Sequence, residues 1–149
     1  MKVEYRHSAS RTNSFIDSPP YWIINNLYDF KSEANARMKM GTVAEQSAEH
    51  ALKNKITDEE VIIDYAKSKY IELKGDESDD ECLWSGIIAN QFVKELPQFG
   101  EVVSYQREIT IPGDKYGLKY DVKGVTDFEF EDVIIDTKAT AYIKRLKSG

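Results

Sequence analysis

The sequence predicts an α+β fold in which helices come first and antiparallel strands follow. Residues 32–96 are rich in good helix formers, and their apolar residues recur at helical spacing. After residue 100, β-branched and aromatic residues alternate with polar ones, which is typical of half-buried strands. The expected architecture is a three-stranded antiparallel sheet flanked by the N-terminal helices.

The boundaries of the helices follow from proline, glycine and capping residues. Ser18-Pro19-Pro20 is expected to block a helix at the end of a polar N-terminal stretch. Gly41 is expected to interrupt the long helix, and Thr42 to start a fresh one. Thr57 is a candidate N-cap, and Pro97 stops the last helix. The predicted helices cover residues 21–27, 32–53, 57–74 and 82–96.

The strands follow from alternation and turn residues. The turn Pro112-Gly113-Asp114 separates the first two alternating stretches. The last strand, Val133-Ile134-Ile135, is wholly apolar, which predicts that it is buried. The predicted strands cover residues 102–111, 118–130 and 133–135.

Size and composition are those of a single globular domain over residues 1–149. Of its 149 residues, 41% are hydrophobic and 31% are charged, enough to form a core. The longest aliphatic or aromatic run, Tyr21-Trp22-Ile23-Ile24, is far shorter than the about 20 residues that span a bilayer. Because Cys82 is the single cysteine, no internal disulfide forms. We therefore expect a cytoplasmic protein that does not contact a membrane.

Two acidic residues of the last predicted hairpin are expected to face each other. If Glu131 and Asp132 form the turn, then Asp127 lies opposite Asp136, with Cβ atoms ~4.5–5.5 Å apart. Carboxylates this close repel each other, so a shared proton, a nearby cation or a metal ion must compensate. The alternative is a surface hairpin whose acids are only solvated.

Lys138 adds a cation to the same face, because residues two apart on a strand project from one side. Carboxylate oxygens of this kind suit a hard divalent ion such as Mg²⁺ or Mn²⁺. The lysine would orient or deprotonate a water molecule, or neutralise charge on a phosphate oxygen.

Three motifs follow one another in a characteristic order. They are Ser10-Arg-Thr-Asn-Ser-Phe15-Ile-Asp-Ser18-Pro19, Gly41-Thr-Val-Ala-Glu45, and Gly124-Val-Thr-Asp127 followed by Asp136-Thr-Lys138. In order and spacing they resemble the RecB-like branch of the PD-(D/E)XK nuclease superfamily, which includes phage recombination exonucleases and CRISPR-associated nucleases. The resemblance implies a restriction-endonuclease-like core and spans most of the chain, although residues 55–100 carry no motif.

The resemblance also implies roles for individual residues. Glu45, Asp127 and Asp136 would bind Mg²⁺ or Mn²⁺, with the backbone carbonyl of Thr137 as a further ligand. Asp127, Asp136 and Lys138 would form the catalytic set, with Lys138 as the catalytic lysine. The expected activity is hydrolysis of DNA phosphodiester bonds, most simply by an exonuclease of phage recombination, repair or CRISPR-type DNA processing, through a metal-activated water.

The chain also departs from the family pattern. Ser18 stands where some relatives have a cluster-binding cysteine, so no iron–sulfur cluster is expected. The family usually continues with a helix bearing Q-x-x-x-Y, and the sequence ends at Gly149 before such a helix. We therefore expect this chain to lack the C-terminal part of the core. The expected partners are single-stranded DNA or duplex ends, with a second copy or a recombination protein as further candidates.

Several alternatives stay open at this point. Glu45 could instead complete a capping box with Thr42. Lys144, Arg145 and Lys147 form a basic stretch that would contact DNA phosphates or remain a solvated tail, although the formal net charge of −6 is unlike that of a non-specific DNA binder. The rival functions are a non-catalytic nucleic-acid-binding or assembly module that keeps the nuclease core, and a metal-free protein-interaction domain.

Overall fold

A computed structural model describes residues 9–28 and 33–139. Within these residues, five α-helices precede a three-stranded antiparallel sheet with strand order β1-β2-β3, which confirms the predicted α+β class. None of the described helices combines the length and the apolarity that crossing a bilayer requires. The elements are α1 (Ala9–Asp17), α2 (Pro19–Leu27), α3 (Ala36–Lys53), α4 (Glu59–Glu72), α5 (Asp80–Glu95), β1 (Ser104–Ile111), β2 (Val122–Glu129) and β3 (Ile134–Ile135).

The chain divides into two compact units. Unit 1 comprises residues 1–33 and 106–127, and so contains α1, α2 and most of β1 and β2. Unit 2 comprises residues 34–105 and 128–149, and so contains α3, α4, α5, the start of β1, the end of β2 and all of β3.

The core of unit 2 joins three helices to the end of the sheet. Phe128 and Phe130 are buried in the same cluster as small residues of α3 and α5, such as Ala48 and Ala89. Small side chains on the helices leave room for the two phenyl rings, each of which stabilises the fold by ~1.5–3 kcal/mol on burial. A second cluster holds α3, α4 and α5 together through Val43, Ala66, Tyr70 and Cys82.

Helix α3 is continuous through Gly41, so the predicted interruption and restart at Thr42 are wrong. The helix begins after Asn35, whose side-chain oxygen accepts a hydrogen bond from the backbone N–H of Met38 at 2.9 Å. A glycine inside a helix costs only about 1 kcal/mol, and burial of the neighbouring Met40 and Val43 offsets that cost.

Helix α4 begins one residue later than predicted, because the N-cap is Asp58 and not Thr57. One carboxylate oxygen of Asp58 accepts hydrogen bonds from the backbone N–H groups of Glu60, at 2.9 Å, and Val61, at 3.2 Å. Aspartate is among the strongest N-cap residues, so it outcompetes the threonine beside it.

The N-terminal region forms two helices where the sequence predicted only one. Pro19 and Pro20 occupy the first turn of α2, where no backbone N–H is needed, so they start a helix instead of blocking one. The ring of Trp22 on α2 meets that of Phe15 on α1 edge-on, with centroids 5.4 Å apart. Residues 9–17 were missed because their sequence is polar, although it is compatible with a helix.

The β2–β3 hairpin has the register that counting outward from the turn predicted. Phe128 pairs with Ile135 and Glu129 with Ile134, and the Phe130 N–H donates to the Val133 carbonyl at 2.8 Å. The predicted burial of the last strand is wrong, because Ile134 is 52% exposed. Val133 is 36% exposed as well, and only Ile135 of this apolar run is half-buried.

Candidate functional site

The acid-x-Lys segment directly follows β3, and its residues alternate between the two faces of the strand. Thr137 is buried, whereas the side chains of Asp136 and Lys138 are 66% and 75% exposed. Lys138 Nζ donates to Asp136 Oδ1 at 2.7 Å, so the two groups lie on one face, as period-two spacing predicted. An ion pair this exposed contributes at most ~1 kcal/mol to stability, and it stays accessible to a ligand from solvent.

Helix α3 runs beside this segment within unit 2. A Cβ atom built at Gly41 would lie 3.9 Å from the Cβ of Ala139, which is ordinary van der Waals contact. Glu45 is half-buried and lies one turn further along α3, on the same side of the helix as Gly41. Gly41 and Ala139, which are far apart in the sequence, are therefore neighbours within unit 2.

The capping-box alternative for Glu45 is excluded by the course of α3. Thr42 lies in the interior of the helix, because Asn35 is the residue that caps its N-terminus. A residue inside a helix has helical backbone angles and cannot serve as an N-cap. Glu45 is therefore not committed to a cap.

Asp127 belongs to unit 1 and lies near the end of β2. It is half-buried, and Gln106 Nε2 on β1 lies 3.5 Å from its Oδ1. The observed strand pairing ends at Phe128 and Ile135. The predicted pair, Asp127 and Asp136, would be the next one along the strands, and it is not among the observed pairs.

Charged residues of α3 continue beyond Glu45 at one-turn spacing, and the last of them, Lys53, lies near Tyr105. Glu49 pairs with Lys53 one turn further on, and Lys53 Nζ lies 4.7 Å from the centroid of the Tyr105 ring. Burial raises the pKa of Tyr105, and the nearby Lys53 ammonium opposes that rise. The i, i+4, i+8 spacing of these α3 residues was visible in the sequence, but nothing local connected Lys53 to Tyr105.

The structure does not assemble a metal site from the predicted ligands within the described residues. Among residues 9–28 and 33–139, no three His, Cys, Asp or Glu side chains are placed to hold one metal ion. The metal-ligating roles of Glu45, Asp127, Asp136 and Thr137 therefore stay predictions. The predicted DNA contacts, Lys144, Arg145 and Lys147, lie outside the described residues.

The chain was also compared with known proteins. No protein-family model, no curated protein and no solved structure matches it.

Proposed function

We propose that this chain carries the core of a Mg²⁺- or Mn²⁺-dependent deoxyribonuclease of the RecB-like PD-(D/E)XK type. The core would have a restriction-endonuclease-like fold, and the enzyme would act as an exonuclease. The observation that carries the proposal is the approach of α3 at Gly41 to Ala139, the residue that directly follows the acid-x-Lys segment. This approach supports the proposal, because α3 is the helix that bears Glu45 and Ala139 directly follows Lys138 in the sequence.

The donor set fits a hard dication. The side chains of Glu45, Asp127 and Asp136 and the backbone carbonyl of Thr137 are all oxygen ligands, which Mg²⁺ and Mn²⁺ prefer. The sequence predicts that Asp127 and Asp136 face each other, and a dication would relieve the repulsion between two such carboxylates. When bound, such an ion supplies positive charge and a water of lowered pKa.

Lys138 would act beside that ion. Its ammonium lies 2.7 Å from Asp136 Oδ1 on a solvent-exposed face, where a DNA strand can reach it. In that position it holds the attacking water by a hydrogen bond, or neutralises the charge that develops on a phosphate oxygen. Asp136 in turn keeps the ammonium group in place.

A second candidate is a nucleic-acid-binding or assembly module that keeps the nuclease core but does not cut. It requires no divalent ion at Asp136 and Lys138, whose exposed side chains remain accessible to a partner. The two candidates differ in whether DNA is hydrolysed when a divalent ion is present.

The test is cleavage of end-labelled linear DNA, single- and double-stranded, with Mg²⁺ or Mn²⁺. We expect Lys138→Met to lower the cleavage rate at least about 100-fold while Mn²⁺ binding persists. Lys119→Met is the matched control, because Lys119 is another exposed lysine outside the site, and it should cut like the wild type. Mn²⁺ binding without cleavage would favour the second candidate, and equal cleavage by Lys138→Met would overturn the first.

A further inference from the structure

One exposed face of α5 is apolar over about one turn. Leu83, Trp84 and Ile87 are 57%, 53% and 38% exposed. Because they are spaced by one, three and four residues on a helix, their side chains form one continuous surface, which we call the α5 patch. The opposite face of the helix is buried in unit 2 through Cys82, Ser85, Gly86, Ala89, Asn90 and Val93.

The α5 patch stands on a rigid support. Helix α5 packs so closely on α4 that a Cβ atom at Gly86 would lie 3.0 Å from the Cα of Ile63. Further along α5, Ala89 and Val93 are buried in the core of unit 2. A surface fixed in this way needs little ordering when a partner binds, which favours affinity.

The N-terminal end of the patch is strongly acidic. Five of the six residues from Asp76 to Glu81 are Asp or Glu. Asp80 is exposed and lies three residues before Leu83 and four before Trp84, so it shares their face of the helix. The surface is therefore an apolar stripe with negative charge at one end.

The negative charge and the apolar surface of the α5 patch together indicate which class of partner it would bind. DNA and anionic membranes would be repelled by the acidic segment. A second copy of this chain carries the same net charge of −6, which opposes self-association. A helix with apolar side chains on one face and Lys or Arg beside them complements both parts of the surface. We propose that the α5 patch binds a cationic amphipathic helix of another protein.

The two tryptophans of the chain allow a direct test. In Trp22→Phe, Trp84 is the sole tryptophan and reports on the patch. The probe is a synthetic 18-residue helical peptide with leucine on one face and lysine on the other, and a peptide of the same length with glutamate in place of lysine is the control. We expect a saturable blue shift of Trp84 emission with the lysine peptide only, weakened by added salt.

Matched variants in the Trp22→Phe background locate the binding surface. Leu83→Ser should weaken peptide binding at least tenfold, and Asp80→Lys should weaken it less strongly. Leu118→Ser is the control, because Leu118 is another exposed leucine, at 48%, on a different segment, and its binding should be unchanged. Circular dichroism checks that each variant folds.

Any of four results would overturn the proposal. Two concern the peptides: no saturable shift, or equal binding of the glutamate peptide. The third is an equal loss of binding in Leu83→Ser and Leu118→Ser. The fourth is a dimer in sedimentation that Leu83→Ser dissociates, which would make a second copy the occupant.

Discussion

The two faces of the β2–β3 end of the sheet differ in what they contribute. On one face Phe128, Phe130 and Thr137 are buried against the helices, and on the other Asp136 and Lys138 pair in solvent. Burial of the inner face holds the strands in register, whereas the exposed ion pair of the outer face contributes almost nothing to the stability of the fold. Substitutions on the inner face should therefore lower stability far more than substitutions on the outer face.

The largest expected effect is on the inner face. Phe128→Ala should lower the free energy of unfolding by about 3–5 kcal/mol, because it leaves a cavity among α3, α5 and β3. Ile134→Ala, one strand over and 52% exposed, should cost less than about 1 kcal/mol. Urea unfolding measures both. Equal losses would mean that the two faces do not differ as described.

A buried hydroxyl among the helices makes the stability of the inner core depend on pH. Tyr70 is fully buried, and its hydroxyl donates to Asp79 Oδ2 at 2.9 Å. Burial, and secondarily this hydrogen bond, raises the pKa of Tyr70 above its usual value. Folding therefore favours the protonated phenol, so its stabilisation is complete below the unfolded pKa of about 10 and is lost as pH rises above it.

Unfolding at pH 8 and pH 11 tests this dependence. Above pH 10, each pH unit should cost the wild type up to about 1.4 kcal/mol from Tyr70. Tyr70→Phe should lose about 1 kcal/mol at pH 8 from the missing hydrogen bond and fall less steeply toward pH 11. An unchanged slope in the variant would show that Tyr70 does not carry this effect.

The smallest expected effect concerns the helix that bears Glu45. Asn35→Ala should lower stability by about 1 kcal/mol, because it removes the side chain that caps α3. Thr42→Ala should change stability by less than about 0.5 kcal/mol or raise it, because an exposed mid-helix threonine is replaced by a better helix former. The reverse result would restore the capping box and release Glu45 from the proposed site.

Local patterns in the sequence predicted much of the fold. Helices α4 and α5 followed from apolar periodicity, and the β2–β3 register followed from counting outward from Glu131 and Asp132. The predictions failed where tertiary packing decides. Burial around Gly41 carries α3 through a residue that favours a break on its own. The exposure of Ile134 depends on which face meets the helices, and an unbroken apolar run does not encode that.

In the candidate site, too, some contacts follow from a short sequence pattern and others depend on the packed fold. The proximity of Asp136 and Lys138 follows from the period of a strand, so the sequence sufficed to predict it. The approach of α3 to Ala139 joins residues far apart in the chain, and only the order of the family motifs suggested it. Contacts of Lys53 with Tyr105 depend on the packed fold, and no short pattern indicates them.

Manganese binding, followed by the electron paramagnetic resonance of free Mn²⁺, tests the central claim most directly. The claim is that the outer face at Asp136 is a divalent-metal site. We predict that the wild type binds Mn²⁺, that Asp136→Asn weakens binding at least about tenfold, and that Asp132→Asn, an exposed acid of the same hairpin, leaves it unchanged. A wild type that fails to bind Mn²⁺, or an Asp136→Asn variant that binds it equally well, would contradict the claim.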